Sequence, residues 1–243
     1  MGGSRNSKIT TVMSKPITSP YHDKKFIAVI SVVLLLAAFY FIPTNCYASF
    51  TGSFIPAHRI AFPLAVLTLC GAFMIPWQMA LAMMFSCIGD YMGSCSNFIM
   101  QMGGFALAHI MLISYFIRRY IVCKGATSRR KKSFITLGIL TAMSIAIISI
   151  ILIVPSIPKG VLQIGCIIYM ILICTMLATA IFQRNGIYAC GALFFVLSDF
   201  ILSWNKFVAP IEGQKYLIMV PYYLAQILLW IKAYDDKSRK ILR

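Results

Sequence analysis

The chain has 243 residues, of which 60% are hydrophobic and only 12% are charged, and it carries 22 Lys and Arg against 6 Asp and Glu. So little charge excludes a soluble domain of this length, because such a domain needs more charged residues to cover its surface. The net charge of +16 does not indicate nucleic-acid binding, because the cations stand in short blocks between long apolar runs. The composition therefore predicts an integral membrane protein.

The apolar runs are long enough to cross a membrane as helices, since about 20 residues span a hydrocarbon core of roughly 30 Å. We predict an all-α, polytopic membrane domain over residues 26–233, between a basic N-terminal tail (1–25) and a short basic C-terminal tail (234–243). A tight break at Pro76 is expected between the second and third helices. In chain order the eight predicted helices comprise residues 26–42, 59–75, 77–92, 98–118, 134–154, 160–182, 186–207 and 216–233.

Lys and Arg are distributed unequally between the two sides of this predicted bundle. The side that carries both termini holds 18 of them, including the "SRRKK" stretch at 128–132, and the opposite side holds 4. Cytoplasmic loops carry the excess of positive residues. We therefore expect both termini to be cytoplasmic, and we take the bacterial inner membrane as the expected location.

Metal ligands and cofactor motifs are not indicated by the pattern of cysteines and histidines. The eight cysteines lie mostly inside predicted helices and form no CxxC pair, which is typical of small buried apolar residues. The three histidines are too widely separated in the sequence to suggest a ligand set. We predict neither a metal nor a cofactor.

Two of the six acidic residues lie within predicted membrane helices: Asp90 in "MMFSCIGDYM" and Asp199 in "GALFFVLSDFIL". A charged carboxylate at that depth costs at least ~2.5–3.5 kcal/mol on insertion scales, so each is a candidate functional residue. Each follows a small residue and precedes an aromatic one, and a Phe lies five residues earlier. Their positions on the third and seventh helices favour a parallel four-plus-four repeat with both carboxylates at one central cavity. The alternative is that each carboxyl only hydrogen-bonds a neighbouring helix.

Further polar side chains on three predicted helices fit the same cavity. The fourth helix presents Gln101, Phe105 and His109 at spacings of four residues, and the eighth presents Tyr222, Gln226 and Trp230, with Tyr223 beside them. The seventh adds Ser198, Asn205 and Lys206, of which Lys206 is placed to meet a lipid phosphate. Each alone is equally explained as a contact between helices or an anchor at the membrane interface.

The stretches around both aspartates resemble those of a known protein family. "SCIGDYM…GGFALAHIMLISYF" and "GALFFVLSDFILSWNKF…YYLAQILL" resemble the most characteristic parts of the YhhN-type lysoplasmalogenase family, which includes the mammalian transmembrane lysoplasmalogenases. The likeness runs from about residue 60 to the end and is strongest at 82–116 and 190–229; "IYMILICTM", with Tyr169, fits more loosely. The chain departs from the family pattern at Phe62-Pro63, where Lys-Pro is usual, although Arg59 stands three residues earlier.

This resemblance implies hydrolysis of the vinyl-ether bond of lysoplasmalogens to a fatty aldehyde and glycerophosphoethanolamine or glycerophosphocholine. Such a bond breaks after protonation of its β-carbon, and water captures the resulting oxocarbenium ion. One neutral carboxylic acid and one carboxylate suit this chemistry, as in glycosidases. Either aspartate could donate the proton, and Asp199 is favoured because it lies deeper in its helix. The residues expected to bind the lysolipid are His109, Tyr169, Ser198, Asn205, Lys206, Tyr222, Tyr223 and Gln226.

Three other classes of protein fit some of the same residues. An ion- or proton-coupled transporter or channel would use the two aspartates as a relay. An intramembrane aspartyl protease is suggested by Gly89-Asp90 but disfavoured because Asp199 follows Ser198 instead of a tyrosine. A lipid-binding protein without catalysis is the third. Only the family resemblance separates the hydrolase from the transporter.

Overall fold

The computed structural model describes residues 23–46, 54–122 and 129–239, and these residues form helices joined by short turns. Most of the predicted N-terminal tail, Ser128 of the "SRRKK" stretch and the last residues of the C-terminal tail lie outside these ranges. A five-residue helix, Phe54–His58, and a 3₁₀ turn, Arg59–Ala61, precede the second long helix. The eight longer helices, labelled α1 to α8, comprise Lys24–Phe41, Phe62–Met74, Trp77–Ser94, Phe98–Val122, Arg129–Leu152, Val161–Phe182, Gly186–Phe207 and Gln214–Ser238.

Each of the eight predicted segments forms a helix, which confirms the all-α, polytopic fold. Six helices, α1 and α4 to α8, are long and apolar enough to cross a membrane. The remaining two are different. With 13 residues, α2 is only about 20 Å long, and α3 buries Gln78, Ser86 and Asp90 among its 18 residues. Helix α2 is thus short although apolar, whereas α3 is as long as α1 but carries more buried polar side chains.

Several helix boundaries follow from local side-chain and backbone chemistry. The Asn185 side chain caps α7 by accepting hydrogen bonds from the backbone N–H groups of Ile187 and Tyr188 at 3.1 and 3.2 Å. Gly160 and Gly213 stand immediately before α6 and α8 with φ of 116° and 70°, a backbone conformation that favours glycine. Each of these three residues is the N-cap at which the next helix begins.

Successive helices run in opposite directions, so the bundle has two ends. We call the end where α1 begins and α8 finishes the terminal face, and the other end the far face. The α3–α4 pair packs closely, because a Cβ atom on Gly104 would lie only 2.9 Å from the backbone of Gly89. The core between the helices contains fully buried large side chains such as Trp230, Tyr115 and Phe195.

A buried ionic cluster lies at the terminal face, where the sequence predicts a C-terminal tail. Helix α8 continues to Ser238, and Asp235 and Asp236 are 3% and 0% exposed. The Asp236 carboxylate accepts hydrogen bonds from Arg119 Nε at 2.5 Å and from Tyr188 at 2.8 Å, and Lys232 Nζ lies 2.7 Å from its other oxygen. These cations allow the carboxylate to remain inside the bundle, which extends the helix beyond the predicted boundary at residue 233.

Candidate active site

Asp199 lies on α7 at the centre of a hydrogen-bonded group from three helices. The Tyr169 hydroxyl of α6 donates a hydrogen bond to its Oδ2 atom. His109 Nε2 of α4 is 3.7 Å from the same oxygen and 3.1 Å from the Tyr169 oxygen. Because the single hydroxyl hydrogen of Tyr169 points to the carboxylate, His109 must carry its proton on Nε2 to bond the tyrosine oxygen. The arrangement leaves Oδ1 of Asp199 outside this group of bonds.

Asp90 has a separate environment on α3. Its Oδ2 atom accepts a hydrogen bond of 2.8 Å from the Tyr222 hydroxyl of α8, and the residue is 2% exposed. One turn away, Gln226 Nε2 donates to Ser86 Oγ at 3.1 Å and joins the same two helices. Each membrane aspartate is therefore held by a tyrosine, although the two tyrosines come from different helices.

An aromatic layer stands between the two carboxylates. The ring of Phe195 lies 5.7 Å from that of Tyr222 and 4.7 Å from that of His109, measured between centroids. The Phe105 ring lies 5.8 Å from that of Tyr222. The two aspartates are thus separated by packed aromatic rings.

A largely apolar cavity reaches Asp199. Its empty volume is about 780 Å³ including its open side, and its walls come from α4, α5, the turn after α5, α6 and α7. Asp199 and Tyr169 form part of the wall, whereas Asp90 lies outside it, behind Phe105. The sequence predicts that both carboxylates face one cavity, with His109, Tyr222 or Gln226 in its wall. This prediction is wrong, because of these five residues only Asp199 lies in the wall.

The polar side chains of the cavity are concentrated towards the far face. Gln101 of α4, Ser149 of α5 and Ser203 of α7 lie between Asp199 and that face. In the opposite direction the wall contains only apolar side chains and one thiol, including those of Ile173 and Cys174. Such a gradient suits a ligand with one polar and one apolar end.

Lys206 stands beside the far end of this cavity. Its Nζ atom lies 4.9 Å from the ring centroid of Phe98, and Phe98 forms part of the cavity wall. Arg59 lies elsewhere, since its guanidinium is 5.5 Å from the Tyr40 ring of α1 and donates to the Ile42 carbonyl. Lys206 therefore lies beside the cavity, whereas Arg59 does not.

Several residues expected to bind substrate make contacts between helices. The hydroxyls of Ser198 and Tyr223 donate to the carbonyls of Ile218 and Ile60, both at 2.9 Å. Asn205 Oδ1 accepts from the backbone N–H of Ile211 at 2.8 Å and thereby shapes the turn before α8. The contribution of α5 to the cavity was not predicted from sequence, because the residues of α5 that line it, Ile145 and Ser149, are of types common in any membrane helix. Within the described ranges, no three His, Cys, Asp or Glu side chains are grouped as metal ligands would be.

Comparisons with known proteins agree on one family. The YhhN family model matches residues 57–232, which include both membrane aspartates. Lysoplasmalogenase TMEM86B of Sus scrofa is 35% identical over 72 residues, covering 30% of this chain and 31% of the relative. Lysoplasmalogenase TMEM86A of Homo sapiens is 42% identical over 48 residues, 20% of each chain. The matched segments span less than a third of these relatives. No solved structure matches the chain. Because the family model covers most of its length, the chain belongs to the YhhN family.

Proposed function

We propose that the protein is a lysoplasmalogenase, which hydrolyses the vinyl-ether bond of a lysoplasmalogen within the membrane. The products are a fatty aldehyde and glycerophosphoethanolamine or glycerophosphocholine. The observation that carries the proposal is the carboxyl group of Asp199 in the wall of an apolar cavity. The names of the two curated relatives, both lysoplasmalogenases, support the same activity.

Asp199 is the proton donor in this proposal. In its neutral form it transfers its proton to the β-carbon of the vinyl ether, whose π electrons form the new C–H bond. The α-carbon becomes an oxocarbenium ion, which a water molecule attacks, and a proton of that water returns to the Asp199 carboxylate. The resulting hemiacetal then breaks its C–O bond to glycerol while its hydroxyl proton passes to the glycerol oxygen, which releases the aldehyde and the glycerophospho alcohol. The cycle therefore leaves the carboxyl group as it began.

Tyr169 and His109 position Asp199 instead of binding the lipid chain. The tyrosine hydroxyl donates a hydrogen bond to Oδ2 of Asp199. This bond stabilises the carboxylate that remains after proton transfer, and it leaves Oδ1 to face the reacting carbon. His109 is fully buried and orients the tyrosine through its Nε2 atom. Both residues thus act on the donor through a fixed chain of hydrogen bonds.

Asp90 is the second carboxylate of the proposed mechanism. Because it lies behind Phe105 and is bonded to Tyr222, it acts by its charge on the oxocarbenium ion and not by contact with water or substrate. Electrostatic stabilisation of this kind is strong where water is excluded. The second aspartate therefore contributes to the rate of the chemical step more than to substrate binding.

Substrate orientation follows from the distribution of charge. Lys206 binds the lipid phosphate at the far face, beside Phe98. The excess of Lys and Arg on the terminal side favours cytoplasmic termini, so the headgroup enters from the opposite leaflet.

The direct test measures aldehyde release by the purified protein in lipid nanodiscs. A defined lysoplasmalogen is compared with the corresponding diacyl phospholipid and ordinary lysophospholipid. The proposal expects aldehyde from the lysoplasmalogen and no hydrolysis of the two esters. Ion or proton flux through reconstituted vesicles without any aldehyde release would instead support a transporter or channel.

A further inference from the structure

The cavity extends unequally on the two sides of Asp199. Towards the far face, α7 continues the wall for eight residues to Phe207, a distance of about 12 Å along the helix. Towards the terminal face, the wall ends on α6 at Ile173 and Cys174, four and five residues beyond Tyr169. That is about 6 to 7.5 Å. The long part of the cavity is thus the part that holds its polar side chains.

The short, apolar end is closed by packed side chains. On α6, Met176, Leu177 and Ala180 are at most 1% exposed. On the facing side of the bundle, Ala192 of α7 and Leu112 of α4 are equally buried. At about 1.5 Å per carbon–carbon bond, the space beyond Asp199 takes on the order of five carbon atoms. A fatty chain of ordinary length does not fit there.

Helix α5 forms the least tightly joined wall of the cavity. Among the described residues it packs on α6 and on the turn after its own C-terminal end, without comparable packing against α4 or α7. Ile145 and Ser149 face the cavity, whereas Ile147 and Ile151 are 52% and 62% exposed on the surface that would meet lipid. The boundary between cavity and bilayer is therefore one helix thick at this point.

We propose that the cavity encloses only the first few carbon atoms of a single-chain ether lysophospholipid, and that the rest of the chain leaves the bundle beside α5 and lies in the bilayer. The chemical class of the ligand rests on the proposed function. The geometry makes the enzyme selective for the bond at the head of the chain and tolerant of variation in the remaining carbon atoms. Its affinity should depend on chain length only up to the enclosed portion.

Binding of saturated alkyl-ether lysophospholipids tests this inference without hydrolysis, because these analogues lack the vinyl-ether bond. The probes carry a pyrene group at the end of a chain of about four or about twelve carbons. They are measured against unlabelled lipid in nanodiscs, with concentrations expressed per lipid. The Kd of the long pyrene probe should lie within about threefold of the Kd of the unlabelled long-chain lipid. The Kd of the short pyrene probe should be at least about tenfold higher than that of the unlabelled short-chain lipid.

Two variants of α5 locate the exit. Ile145→Trp narrows the cavity beside α5 and should weaken binding of the long-chain lipid by about tenfold or more, with little effect on an unlabelled short-chain lipid. Ile147→Trp adds the same bulk on the exposed side of the helix and should leave both affinities unchanged. Thermal unfolding of both variants controls for loss of fold.

Rejection of the long pyrene probe, or a sharp optimum of affinity at one chain length, would overturn the inference by showing an enclosed chain. An equal effect of Ile145→Trp on short and long lipids would overturn the exit beside α5. If the alkyl-ether lipids bind as expected but no vinyl ether is cleaved, the proposed hydrolase fails while the mode of lipid binding stands.

Discussion

The hydroxyl of Tyr169 donates a hydrogen bond to the carboxylate of Asp199 at the wall of an apolar cavity. The bond joins α6 to α7 and fixes the direction of the acidic group. A buried carboxylate without a donor would be costly at this depth. The tyrosine thus explains both how Asp199 is tolerated and how it is aimed.

Loss of the Tyr169 hydroxyl tests this positioning role. Tyr169→Phe keeps the ring in the wall of the cavity but removes the donor, so kcat should fall by about tenfold or more while KM changes little. Steady-state kinetics with a lysoplasmalogen provide the measurement. Tyr223→Phe is a matched control, because the hydroxyl of Tyr223 bonds the Ile60 carbonyl away from the cavity. A raised KM with unchanged kcat in Tyr169→Phe would make the residue a substrate ligand.

Asp90 should affect the chemical step from a distance. Asp90→Asn keeps the size of the side chain and a partner for Tyr222 but removes the charge, so kcat should fall by well over tenfold with KM nearly constant. Single-turnover rates of aldehyde release are the appropriate readout. A variant that retains more than about a tenth of the activity would exclude Asp90 from the mechanism.

Lys206 should contribute to binding and not to chemistry. The lipid phosphate does not change between the ground state and the transition state, so Lys206→Ala should raise KM and leave kcat almost unaltered. Lys215→Ala is the control, because that cation also lies at the far face but stacks on the Tyr40 ring of α1. Unchanged kinetics in Lys206→Ala would identify the residue as an interfacial anchor only.

Asp236 should matter for stability instead of catalysis. Asp236→Asn leaves Arg119 buried without its carboxylate, while Lys232 keeps Asp235, and the loss should cost about 3–5 kcal/mol of unfolding free energy. Unfolding in mixed detergent micelles measures the change. Arg239→Ala, whose side chain is 50% exposed beside Asp235, should cost less than about 1 kcal/mol. Equal stability of the two variants would contradict a structural role for the cluster.

The helices and the two membrane aspartates were predictable from sequence because each depends on local composition. Long apolar runs specify spanning helices, and a carboxylate inside such a run is rare enough to stand out. The partners of those carboxylates were harder to predict. Tyr169 and Tyr222 meet Asp199 and Asp90 through the packing of separate helices, which periodicity within one helix does not encode.

The same limit explains why the sequence does not separate polar residues that line the cavity from polar residues that join two helices. Ser198 shares α7 with Asp199, but the two consecutive side chains point in different directions, and Ser198 bonds a carbonyl of α8. In the sequence, Asp235 and Asp236 stand in the predicted basic tail, 234–243. Their burial depends on Arg119, more than a hundred residues earlier, and only the assembled bundle brings these groups together.

Aldehyde release by Asp199→Asn tests the central claim most directly. An asparagine keeps the shape of the site but cannot donate the proton, so the account predicts a loss of at least about a hundredfold in a correctly folded, membrane-inserted variant. Hydrolysis by the unmodified protein in D₂O should place one deuterium on the carbon next to the aldehyde group, because that carbon receives the transferred proton. An Asp199→Asn variant that releases this aldehyde at more than about a tenth of the normal rate would contradict the account.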